Sequence, residues 1–136
     1  MPIETRYGLR VEVEDGFDAT VQAVTAALKT QGFGVLTTIE IDKALKEKIG
    51  ADFRRYTILG ACNPHLAHRA LTAELELGLL LPCNVIVYER DGGGTVVAAM
   101  APVPAMGMVG NPALAEVASE ADARLRKALG EVAGQR

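Results

Sequence analysis

Two short segments hold the residues best suited to chemistry. The first is Gly60-Ala61-Cys62-Asn63-Pro64, where an extended run gives way to a helical one. Asn is a strong helix cap and Pro suits the first helical position, so a helix starts here. Free N–H groups at a helix start attract anions and lower the pKa of a nearby thiol. Cys62 is therefore a candidate nucleophile, and the same turn is a candidate cradle for a phosphate or carboxylate. The plainer alternative makes Cys62 a small buried apolar group and Asn63 only a cap, since free cysteine is among the most buried residue types. The second segment is residues 78–83, GLLLPC, which is apolar and ends at proline. It reads as the wall of a small-molecule pocket or as an interface segment. Twenty-one positions separate Cys62 from Cys83. A disulfide needs Cα atoms within ~7 Å, which spacing alone does not set, so a redox pair stays an alternative.

His65 and His68 lie three apart on the helix that follows, within reach of one metal. They share a helical face with Arg69 and Thr72, opposite Leu66, Ala67, Ala70 and Leu71. That assigns them to the wet face, and no acidic residue nearby in sequence completes a ligand set. Residues 100–110, MAPVPAMGMVG, form a methionine- and proline-rich apolar stretch. Thioethers can ligate copper or haem iron, which gives a metal or haem module using Cys62, His65 and this stretch as a further alternative. The preferred reading is a loop packed in a dimer seam. GxxxxGK[ST], GxGxxG and GxSxG are all missing, and Ser119 is the only serine. A serine-nucleophile hydrolase is thereby nearly excluded.

The elements that must position these residues come from one domain, residues 1–136, because the chain is too short for two. Hydrophobic residues make up 49% and charged residues 23%, and the net charge of −3 argues against nucleic acid as a partner. With no Trp and 4% aromatic residues there is no stacking platform for single strands. No apolar run approaches ~20 residues and the start, MPIETRYGLR, has no signal pattern, so no membrane partner and a cytoplasmic location are expected. Two cysteines in that setting are expected reduced.

Residues 6–13 alternate as a strand that Gly16 breaks. Asp18 is expected to cap a helix to about Gln31, with Val21, Val24 and Leu28 buried and Gly32 at its left-handed end. Residues 33–40 form a second strand, and a short helix over 42–49 carries Ala44, Leu45 and Ile49 inward. A third strand spans 53–59, with the adjacent Arg54 and Arg55 on opposite faces. The Asn63-capped helix runs to about Leu75. Strands over 84–90 and 95–101 flank Asp91-Gly92-Gly93-Gly94 as a hairpin. Asn111-Pro112 starts a last helix burying Leu114, Val117, Ala121, Leu125 and Leu129. The order β-α-β-α-β-α-β-β-α gives an α+β fold: one mixed, mostly antiparallel sheet with helices on one face. Two helical crossovers favour some parallel pairing. Strand residues such as Leu59, Ile86, Val87 and Val97 are too apolar to leave wet, so the second face calls for a self-partner, most economically a two-fold dimer.

GACNPHLAHRAL and the later LGLLLPCNVIVYE resemble the bacterial and archaeal family called domain of unknown function 302. GFGVLTTIEI and NPALAEVASEADARLRKAL extend the resemblance over nearly the whole chain. The matching positions are Cys62, Asn63, Pro64, Leu80, Leu81, Pro82 and Cys83. The resemblance implies an α+β domain that tends to form homodimers, and it supplies no catalytic residue. An acidic residue often stands before a proline in the family after the last strand. This chain has Ala101-Pro102 and Val103-Pro104 there.

The reading that follows is a homodimeric domain that binds a small ligand or partner rather than catalysing a reaction. Its expected site is Cys62, Asn63, Leu80, Leu81, Pro82 and Cys83, where amide donors meet an apolar wall. No catalytic residue, metal ligand or cofactor is expected. The alternatives are a thiol-redox protein using Cys62 and Cys83 and the metal or haem module.

Overall fold

The computed structural model describes residues 2–134. Apolar residues at every second position of Leu9-Arg10-Val11-Glu12-Val13 give β2 (Gly8–Val13) one buried side. A two-residue strand that the pattern does not announce, β1 (Ile3–Glu4), pairs with it. Helix α1 (Phe17–Thr30) leads to β3 (Gly34–Glu40), α2 (Ile41–Ile49), β4 (Tyr56–Cys62) and α3 (Pro64–Ala73). A 3-10 turn over Leu75–Leu80 and a cis Leu81-Pro82 bond then enter β5 (Cys83–Glu89). Strand β6 (Thr95–Met100), α4 (Pro102–Gly107), a 3-10 turn at Pro112–Leu114 and α5 (Ala115–Gly134) complete the chain.

The six strands lie in the order β1-β2-β6-β5-β4-β3, and every neighbouring pair is antiparallel. The α+β class stands, and the parallel pairing expected from the crossovers is corrected. Helix α1 carries the chain to the far edge of the sheet, so the strands it joins are not neighbours. Helices α2 and α3 sit inside long connections between antiparallel neighbours. A helix in a connection permits a parallel pair without enforcing one.

One face of the sheet packs on α1 and α5. Leu9, Val11, Val85, Val87 and Val97 meet Leu28, Leu125 and Leu129 there, all in one buried cluster. A second cluster gathers Leu66, Ala70 and Leu77 with Met106, Leu114, Val117 and Ala121. Of the four residues that argued for a partner on the other face, Leu59, Val87 and Val97 belong to the helix-covered core. Only Ile86 faces away, half-buried, beside Ile58 and Ala98.

Several local expectations change for identifiable reasons. The N-cap of α1 is Gly16, without a side-chain bond. Asp18 sits in the first turn and accepts two 3.0 Å hydrogen bonds from Arg55. Strand β4 starts at Tyr56, the first residue with a ladder partner on β5, Tyr88. Arg54 and Arg55 therefore precede the strand and do not divide between its faces. Arg54 pairs with Asp91 at 2.9 Å, and the Arg55 guanidinium stands 4.3 Å from the Phe17 ring centre. Helix α2 buries none of its residues, and Ile49 is 72% exposed, because the helix packs on the end of the sheet beside β3 and β4. The stretch over 100–110 is no plain loop. It finishes β6 and forms α4, which buries Pro102 and Met106.

Gly60 marks the tightest strand contact. A Cβ there would lie 2.2 Å from Thr37 Oγ1 and 2.8 Å from Pro82 Cγ. Gly60→Ala is expected to lower unfolding free energy by about 1–3 kcal/mol, read from the urea midpoint at unchanged slope.

Candidate functional site

Asn63 builds the start of α3 from its own side chain. Its Oδ1 accepts the Leu66 N–H at 3.2 Å, and its backbone carbonyl accepts the Ala67 N–H at 2.8 Å. Pro64 has no N–H to offer. Of the amides expected free at this turn, the Leu66 N–H is taken by the cap and Pro64 supplies none. Asn63 Nδ2 also donates to the Gln31 carbonyl at 3.4 Å, tying α3 to the end of α1. Gly32 makes that tie possible. Its φ is +83°, and a Cβ there would stand 2.9 Å from Asn63 Nδ2.

The two sequence segments meet in space. Ala61 on β4 pairs directly with Cys83 on β5, so Cys62 is one residue from the Cys83 partner. Cys62, Asn63, Leu81, Pro82 and Cys83 line one cavity, closed by Met106 and Val117. Leu80 does not line it and packs on the second core cluster. The cavity holds about 30 Å³ and its walls are almost wholly apolar. Small-molecule sites occupy about 300–1,000 Å³, so this space is an order of magnitude smaller. Apolar cavities of this size stay dry.

Both cysteines are free thiols. Burial, and next the nearby Cys62, push the Cys83 thiol up to about 11. A thiol raised that far is a poor nucleophile at neutral pH, whatever the fit of the pair. Cys62 is half-buried. His65 and His68 are exposed, on the wet side of α3 as expected. Among the described residues no three His, Cys, Asp or Glu gather as a metal set. Met106 closes the Cys62 cavity, Met108 is exposed, and Met100 lies on the open sheet face, so the methionine-rich stretch is split between three environments.

Sequence reasoning missed a second, wider concavity. It lies on the open sheet face, about 640 Å³, over Ile86, Ala98 and Met100, with Tyr56, Tyr88 and Arg6 around it. Tyr56 and Tyr88 are direct cross-strand partners, their rings parallel within 6° and 5.4 Å apart. The period-two runs Tyr56-Ile58-Gly60 and Asn84-Ile86-Tyr88 carried the signal, and only the register between the strands turns it into a surface.

A single antiparallel sheet, layered with helices on one side and with helices in its connections, defines an α+β domain with one open sheet face. The chain belongs to the family described as domain of unknown function DUF302, whose model matches residues 9–132. It is similar to a solved structure described as an uncharacterized conserved protein DUF302 from Bacillus stearothermophilus, at 35% identity and a TM-score of 0.87. The match covers 94% of this chain and 99% of that one. No curated protein matches the chain. No helix among the described residues is long and apolar enough to cross a membrane.

Two outcomes test this account. Asn63→Ala removes the cap and the tie to Gln31 and is expected to cost about 1–2 kcal/mol in urea unfolding. The raised Cys83 value has a definite sign. The unfolded chain releases the thiol proton first, so stability is full below pH 9.0 and falls as pH rises toward about 11. Between pH 8 and pH 11 wild type should lose about 2 kcal/mol more than Cys83→Ala, measured by paired urea melts.

Proposed function

We propose that the chain acts as a homodimeric binding domain in the cytoplasm, joined through its β3 edge. The observation that carries this is the inequality of the two sheet edges. One edge is β1, two residues long. The other is β3, seven residues long, exposed at every position except the half-buried Val35. It contains neither lysine nor proline, and Leu36 is 68% exposed. Soluble proteins seldom leave such an edge open, because its free N–H and C=O groups template another strand.

A second copy fits it well. An antiparallel strand pairs with its own copy about a two-fold axis and closes the assembly. Pairing centred on Thr37 sets Glu40 against Gly34 of the other copy, so no like charges oppose each other. Ile39, Ile49 and Phe53, all exposed, stand on β3 and the segment after it and add apolar surface at the same end. The partner once expected on the open face is thus better seated on the edge, since most of the residues that called for a cover already lie beneath helices. The two free thiols agree with a reducing compartment.

A second reading keeps a small apolar guest at the Cys62 cavity, favoured by the meeting of the two predicted segments there. Any guest larger than one or two waters must displace Leu81, Pro82 or Met106. Xenon titrated under pressure should shift the methyl resonances of Leu66 and Val117, and unmoved methyls would retire this reading.

The dimer is checked by light scattering at micromolar concentration. Wild type should show twice the 14.4 kDa chain mass. Leu36→Lys should weaken association at least about tenfold, roughly 1.4 kcal/mol, while leaving the fold intact by circular dichroism. A wild-type sample at 14.4 kDa alone would overturn the proposal.

A further inference from the structure

The groove on the open face has the dimensions and makeup of a ligand site. Its volume of about 640 Å³ falls inside the range that encloses drug-sized molecules. Its floor is the apolar part of two central strands, Ile86, Ala98 and Met100, so a flat hydrophobic body can lie on it. The Tyr56–Tyr88 stack forms one wall, and Tyr7, 79% exposed, bounds the groove from the turn between β1 and β2. Burial first, then the neighbouring phenols of Tyr88 and Tyr7, raise the pKa of Tyr56.

Charge singles out one end. Every other described arginine pairs with a carboxylate. Arg10, which also lines the groove, is engaged by Glu12. Arg6 has no carboxylate partner among the described residues, and it is exposed at the groove. A guanidinium offers a planar fork of donors that matches a carboxylate at two points.

We propose that this groove binds a planar aromatic carboxylate, whose ring extends the Tyr56–Tyr88 stack and whose carboxylate pairs with Arg6. Offset stacking on a third ring adds about 0.5–1.5 kcal/mol beyond burial, and the ion pair orients the molecule. The proposal supplies a ligand class to the binding-domain reading and rests on it only in that sense, because no β3 residue lines the groove.

The test uses the whole chain with 2-naphthoate and 4-biphenylcarboxylate as probes and 2-naphthalenemethanol as the neutral comparator. Titration calorimetry and tyrosine ring resonances report binding. We expect a saturable Kd below about 1 mM for the carboxylates and affinity about fivefold weaker for the alcohol. Arg6→Gln should bring 2-naphthoate to the affinity of the alcohol and leave the alcohol unchanged. Tyr88→Leu should weaken both, with an unchanged melting curve as the control for folding. Leu36→Lys should bind 2-naphthoate as wild type does, which separates this result from the oligomeric state. No saturation by either carboxylate in wild type, or an Arg6→Gln protein that binds 2-naphthoate undiminished, would overturn the proposal.

Discussion

One helix has to seal one side of the sheet, and most other features follow from that. Helix α5 is twenty residues long, and its Leu125 and Leu129 reach complete burial against β2 and β6. With α1 beside it, the pair covers one face and only one. A single covered face is enough for an antiparallel sheet, whose alternating side chains separate core from surface. It also dictates what remains: an open face, and two edge strands, β1 and β3, each paired on one side only.

Those leftovers differ in character. The open face is neither a plain solvent surface nor a dry one. Charged pairs such as Arg10–Glu12 stand at its β2 side, and aromatic and aliphatic side chains occupy its centre. The β3 edge carries one charge, Glu40, and is exposed at every position but the half-buried Val35. Exposed ion pairs elsewhere, including the Arg69 contacts with Glu116 and Glu120, add little stability, because water and salt screen them. The domain is held by its two apolar clusters and by ties at element ends such as Asn63 to Gln31.

The Cys62 turn shows how local chemistry changes meaning in context. A helix start beside a thiol is an anion site only while its amides are free. Here Asn63 takes the Leu66 N–H for its own cap, and proline supplies none. The cavity beside it is what remains when β4, α3 and the 78–83 segment converge on small side chains, Ala61, Ala70 and Ala121 among them. Packing rather than polarity shapes it.

Much of the fold could be read in advance because it follows from periods and punctuation. Val24, Leu28, Leu125 and Leu129 repeat at helical spacing, and all are buried. Gly32 takes the left-handed end of α1, the glycine-rich hairpin joins β5 to β6, and the Asn-Pro pairs open helical turns capped by the Asn side chain. Cys62 stands out in the sequence by its place at a helix start and Cys83 by its place at the end of an apolar run, and both line one cavity. Strand order, the orientation of every pair and the face each strand turns outward were decided only by the tertiary structure. Those depend on which strand finds which neighbour across many residues, and a shift of one position reverses every side chain. For the same reason Leu59, Val87 and Val97 went inward, while Tyr56 and Tyr88, thirty-two positions apart, came to stack on a face that only the register between β4 and β5 assembles.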